Sequence, residues 1–144
     1  MDIEFIQEQI PQVARKLKAK FYPGDVVGFS GGLAAGKTTL ITEIARQFGY
    51  EGRVTSPTFV IEHRYPTPGI KKVAEIIHLD LYRLKKEDLI TLDWGEYKNQ
   101  KNKIIFIEWS EKLPKSLLKI NKLVKIKIIN DKKRRLTLLN NSTL

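Results

Sequence analysis

Residues 25–48 read DVVGFSGGLAAGKTTLITEIARQF, and the order of patterns within this stretch decides the fold. Val26, Val27 and Phe29 form a short apolar run of the length and composition of a buried strand. Beyond residue 38 the apolar residues recur at helical spacing, as Leu40, Ile41, Ile44 and Ala45. Between the two lies Gly31-Gly32-Leu33-Ala34-Ala35-Gly36-Lys37-Thr38, which fits the phosphate-binding pattern G-x-x-x-x-G-K-[ST], with its strand before and its helix after. Glycines at the first and sixth positions let the backbone curl so that successive N–H groups face phosphate oxygens. The positive end of the following helix adds to that attraction.

The chemistry expected of this loop is binding of ATP with Mg²⁺. Lys37 is placed to reach the β- and γ-phosphates and the Thr38 hydroxyl to ligate Mg²⁺. Thr39 either contacts the α-phosphate or occupies the first helical turn.

Working outward, Ile6, Ile10, Val13 and Leu17 predict an amphipathic helix with Pro11 in its first turn, closed by the turn Pro23-Gly24-Asp25. After the loop helix, Gly49 and Gly52 precede short β-like runs at 53–55, 59–65 and 73–79, a helix at 85–92, and a strongly apolar strand at 103–109. Residues 123–129 alternate lysine with aliphatics, the period-two pattern of a strand with one wet face, and a turn at 130–133 leads into a last strand at 134–139. These elements predict an α/β fold: a P-loop NTPase-like three-layer sandwich with a central mixed, largely parallel sheet and a C-terminal β-hairpin. One domain is expected to span residues 1–144.

A phosphate loop binds; hydrolysis also requires a carboxylate near the metal and a group that orients water. Two apolar runs end in acids: Ile76-Ile77-His78-Leu79-Asp80 and Ile104-Ile105-Phe106-Ile107-Glu108. Strands beside the loop strand bring their C-terminal ends to the same sheet edge, which makes Asp80 and Glu108 candidates for metal ligand and water-positioning base, in either order. His78 reads more readily as a hydrogen-bonded packing residue.

Lysine and arginine total 26 against 16 aspartate and glutamate, a net charge of +10 that favours polyanionic partners and is equally the mark of a solvated lysine-rich surface. The cluster Lys132, Lys133, Arg134 and Arg135 reads as a solvated hairpin turn, with tRNA contact as its alternative. The absence of cysteine excludes a disulfide framework and thiolate metal sites, and no apolar run approaches the length of a membrane span. A cytoplasmic location is expected.

Four separated signatures give the chain a strong resemblance to the TsaE family, small bacterial ATPases of tRNA threonylcarbamoyladenosine synthesis. They are GGLAAGKTT at 31–39, Ser56-Pro57-Thr58-Phe59, His78-Leu79-Asp80-Leu81-Tyr82-Arg83-Leu84, and Ile107-Glu108-Trp109, with weaker agreement at Asp93-Trp94-Gly95-Glu96-Tyr97. The family commonly reads GDLGAGKTT in the loop, where this chain has Gly32 and Ala35 in place of the acid and a glycine. Ala35 is expected to need only an ordinary backbone conformation, and the loss of the acid removes any side-chain role at Gly32.

The resemblance implies that Lys37 and Thr38 bind phosphate and Mg²⁺, and that Asp80 and Glu108 serve the metal and hydrolysis. It also implies that Thr58 is a switch residue sensing the γ-phosphate, against the alternative of a turn after Pro57. Tyr82, Arg83 and Trp109 would extend the same surface. The implied activity is slow ATP hydrolysis, stimulated by the partner proteins TsaD and TsaB, that resets the modification machinery. Two rivals remain: a nucleotide-dependent adaptor that does not hydrolyse, and a small P-loop kinase, which Arg83, Arg134 and Arg135 are too dispersed to equip with a lid.

Overall fold

The computed structural model describes residues 1–52, 61–142 and 144. Among these residues seven strands form one sheet: β1 (Asp2–Ile6), β2 (Val26–Ser30), β3 (Glu62–Pro66), β4 (Glu75–Asp80), β5 (Lys103–Glu108), β6 (Lys122–Ile128) and β7 (Lys133–Asn140). Among the described residues three α-helices accompany them, α1 (Ile10–Lys20), α2 (Lys37–Gln47) and α3 (Lys86–Thr91). The strand order is β1-β7-β6-β2-β5-β4-β3. The four central strands run parallel, while β3, β7 and β1 join antiparallel, which makes the sheet mixed and largely parallel as the sequence predicts.

The apolar run of β5 is continuous because both sheet faces are covered. Ile104 and Phe106 pack with Val13, Leu17, Leu40, Ile41 and Ile44 of α1 and α2 on one face. Ile105 and Ile107 point the other way, into a second cluster with Leu79, Leu89, Trp94 and Leu118. Burying one such aliphatic side chain is worth about 1.5–3 kcal/mol, so these two clusters hold the central strands in register and the strand ends in place. In β6 the alternation has one dry side: Val124 and Ile126 are buried while Lys125 and Lys127 are exposed.

Two departures from the sequence reading concern boundaries. Residues 2–6 form a strand that the sequence reading left out, pairing with β7 from Asp2↔Thr137 to Ile6↔Lys133. The first helix therefore starts later, at Ile10, with Pro11 in its opening turn. The loop helix begins at Lys37 rather than at residue 39. The run expected at 53–55, and the start of the one at 59–65, lie outside the described residues.

Candidate functional site at the phosphate loop

β2 ends at Ser30 and α2 begins at Lys37, so the glycine-rich segment bridges the C-terminal end of a central strand and a helix N-terminus. Gly31 cannot be anything larger: its φ is 152°, and a Cβ there would lie 2.6 Å from the carbonyl oxygen of Ile126 on β6. Gly36 caps α2 in the left-handed region at φ 97°. The first-turn N–H groups of α2 have no acceptors within the helix, which leaves a concentration of donors and positive dipole at the loop. Ala35 has an ordinary backbone, as expected. Matched letter by letter, however, the alanine standing in the place of the family's glycine is Ala34, not Ala35, and Ala34 is held at φ 62°. A side chain in that region costs about 1–2 kcal/mol relative to glycine.

Lys37 is 5% exposed. Its ammonium donates to the Gly31 carbonyl and, at 3.2 Å, to that of Gly32. It lies 4.2 Å from the centroid of the Trp109 ring. Burial pulls the Lys37 pKa down from its ordinary value, and the carboxylates of Glu108, Glu111 and Asp80 push it back up. Trp109 follows β5 with φ 58°, and its ring centroid is 4.9 Å from that of Tyr82, which is 44% exposed.

Parallel pairing sets Asp80 opposite Glu108 and Glu108 opposite Phe29, so both acids arrive at the sheet edge where the loop begins. The Thr38 hydroxyl donates to the Glu108 carboxylate, 2.9 Å from one oxygen and 3.0 Å from the other. Glu108 is buried, and its Oε2, the oxygen 2.9 Å from the Thr38 hydroxyl, also stands 2.6 Å from His78 Nε2. The opposite ring nitrogen, Nδ1, is 3.0 Å from the Tyr65 hydroxyl. Burial, with Tyr50 and Glu108 adding to it, pushes the Tyr65 pKa up to about 12. Asp80 accepts from the Tyr82 N–H at 3.0 Å. Burial raises its carboxyl pKa; the Tyr82 N–H opposes that, Glu108 reinforces it, and His78 and Lys37 oppose it.

The oxygen donors Thr38 Oγ1, Glu108 and Asp80 are hard ligands suited to Mg²⁺. No group of three or more His, Cys, Asp or Glu among the described residues forms a complete metal cage. A sparse protein contribution of this kind fits an ion that keeps waters and takes further oxygens from a phosphate.

Beside the loop, on the side of Thr39, opens a cleft of about 520 Å³ lined by Phe5, Ile6, Ile10, Ala34, Thr39 and Leu40, with Gln7, Glu8, Lys132 and Arg134 at its polar parts. Sequence reasoning missed this cleft because it is assembled from β1 and the β6–β7 turn. Arg134, read there as part of a solvated turn, reaches back to the Ala34 carbonyl at 3.5 Å. Arg135 instead pairs with Asp2 at 2.6 Å. Tyr65 was read only as part of a β-like run, and its link to His78 depends on strand register. The Thr58 switch position and its Ser56-Pro57 approach lie outside the described residues. Among those residues no helix is long and apolar enough to cross a membrane.

Known proteins resemble this chain along most of its length. The model of the family described as threonylcarbamoyl adenosine biosynthesis protein TsaE matches residues 6–137. A tRNA threonylcarbamoyladenosine biosynthesis protein TsaE from Rickettsia felis is 33% identical over 139 residues, covering 95% of this chain and 78% of its own. Its counterpart from Streptomyces coelicolor is 38% identical over 102 residues, covering 60% of this chain and 68% of its own. Among solved structures, that of Bacillus subtilus YdiB superposes with a TM-score of 0.69 at 25% identity, covering 97% of this chain and 84% of the other. With a phosphate-loop strand and helix, two acids at one sheet edge, and a family match running from residue 6 to residue 137, the chain belongs to the TsaE family.

Proposed function

We propose that the chain, as one domain spanning residues 1–144, binds ATP with Mg²⁺ and hydrolyses it slowly as the TsaE component of tRNA threonylcarbamoyladenosine synthesis in the cytoplasm. Its partners in this reading are TsaD and TsaB, which complete the site and accelerate turnover, and hydrolysis resets them for another round. The observation that carries the reading is the meeting of Lys37, Thr38, Asp80 and Glu108 at the end of β2, with the Thr38 hydroxyl 2.9 Å from the Glu108 carboxylate.

In this reading residues 31–39 wrap the phosphates with backbone N–H groups, and the α2 N-terminus offsets their charge. Lys37 moves its ammonium from the Gly31 and Gly32 carbonyls onto the β- and γ-phosphate oxygens. Thr38 and Glu108 hold Mg²⁺ when it is bound, and the ion would neutralise charge on the terminal phosphates. Asp80, opposite Glu108 in the sheet, is placed to orient water or to complete the ligand set. The cleft beyond Thr39 takes the adenosine, stacking the base among Phe5, Ile6 and Ile10 while Arg134 stands near the loop. Thr58 senses the γ-phosphate.

The test is phosphate release with and without the partner pair, comparing the native chain with Lys37→Ala and Glu108→Ala. Both variants are expected to lose stimulated turnover, the first through lost phosphate positioning and the second through lost control of metal or water. Absence of any heat of ATP binding to folded protein in the presence of magnesium would end the proposal.

A further inference from the structure

The bond from His78 to Glu108 is the middle of a longer line. Tyr65 on β3 lies opposite Ile76 on β4, so His78, two residues on, is its diagonal neighbour on the same sheet face. His78 in turn lies opposite Phe106 of β5, and Glu108 is the diagonal neighbour there. Ile76 and Phe106 belong to the core beneath α1 and α2, so the line runs across the face that carries α2 and ends at Thr38 in its first turn. Each polar step is within hydrogen-bond reach: 3.0 Å from Tyr65 to Nδ1, 2.6 Å from Nε2 to Glu108, and 2.9 Å from Thr38 to Glu108.

The donors can be ordered. An ionised carboxylate has only acceptors, so a neutral His78 presents Nε2–H to it; Nδ1 of that tautomer carries a lone pair and accepts the Tyr65 hydrogen. Tyr65 can give one, since burial keeps its phenol protonated, with a pKa pushed up to about 12. At 0% exposure neither ring nitrogen of His78 can turn to water, so Tyr65 and Glu108 together fix its orientation.

We propose that Tyr65 and His78 are positioning residues for Glu108. The hydroxyl fixes the histidine tautomer and ring orientation, and the histidine holds one carboxylate oxygen, so that Glu108 presents its remaining lone pairs toward Thr38 and the loop. This rests on the reading of Glu108 as a group that serves magnesium. Partners behind a ligand commonly shift metal affinity or activity by about 10–100-fold when removed.

Two measurements separate the relay from that reading. Nitrogen-15 NMR of the ligand-free chain is expected to find the His78 hydrogen on Nε2 alone; a hydrogen on Nδ1, with or without one on Nε2, overturns the relay, whether or not ATP binds. Calorimetry of ATP with and without Mg²⁺, alongside partner-stimulated kcat and KM, is then applied to His78→Leu, His78→Gln and Tyr65→Phe. His78→Leu is expected to leave magnesium-free ATP affinity within about twofold and to reduce both the gain from Mg²⁺ and kcat by about 10–100-fold.

His78→Gln, whose amide N–H replaces Nε2–H, restores most of the loss. Tyr65→Phe, an isosteric change that carries the test if His78→Leu does not fold, loses a few-fold. A folded His78→Leu with the native gain from Mg²⁺, or a His78→Gln no better than His78→Leu, refutes the positioning role. A native chain with no magnesium-dependent ATP binding refutes the nucleotide reading and leaves the NMR result to decide the relay.

Discussion

Two adjacent glycines in the phosphate loop should respond in opposite ways to the same methyl group. At Gly31 an added Cβ would sit 2.6 Å from the Ile126 carbonyl oxygen, and that oxygen is fixed in the backbone of β6 beside β2. The φ of 152° adds backbone strain for any L side chain. Overpacking against a fixed group costs about 1–3 kcal/mol, and the disallowed backbone about 1 kcal/mol more. Gly31→Ala is therefore expected to lose about 2–4 kcal/mol, which for a chain of this size lowers Tm by about 5–15 °C.

At Gly32 no atom lies within 4 Å of the same Cβ, and the backbone is ordinary. Gly32→Ala is expected to be neutral or to gain about 0.4–1 kcal/mol by restricting the unfolded chain. Thermal unfolding followed by circular dichroism measures both, and ATP calorimetry with Mg²⁺ should follow the same order, weakened in Gly31→Ala and retained in Gly32→Ala. Equal damage from the two substitutions, or an innocuous Gly31→Ala, would show that the close approach of β6 does not shape the loop.

Two further outcomes concern stability set against function. Because burial raises the Asp80 pKa, folding favours its protonated form; that contribution is full below the ordinary carboxyl value and is lost as pH rises through the raised one. Asp80→Asn should thus raise Tm at pH 7 by an amount that vanishes toward pH 3, while abolishing stimulated hydrolysis; an unchanged or lowered Tm at neutral pH speaks against the stated cause. Ala34→Gly relieves a φ of 62° but adds freedom to the unfolded chain, so the two effects nearly offset and a net gain of at most about 1 kcal/mol is expected. A loss above that size in a denaturant titration would mean that the Ala34 methyl, which lines the cleft, contributes packing of its own.

The residues that were legible in the sequence are those whose signal is local. Val26 to Thr39 carry a change of hydrophobic period around a fixed motif, and the runs ending in Asp80 and Glu108 carry their acids in the position where a parallel sheet exposes them. Strand β1 was legible in principle, since Ile3 and Phe5 alternate with Asp2 and Glu4, but only Phe5 of the strand is buried, and the helical spacing from Ile6 onward drew its last residue into the helix that follows. Other features are set by tertiary register. Nothing near Tyr65 in the chain announces His78, and nothing near Arg134 announces the carbonyl of Ala34, one hundred residues away. His78 was read as a packing residue because a single histidine on an apolar strand has no partner until β4 and β5 are aligned.

The pairing of Asp2 with Thr137 has a consequence for how the molecule is made. β1 leaves the ribosome well before β7, its neighbour in the sheet among the described residues, and β2 likewise waits for β5 and β6. Between the two events the nascent chain carries an unzipped edge, and contacts this distant along the chain slow closure. For this protein the interval before β7 appears is when unpaired strands are most open to capture by a chaperone or by another copy.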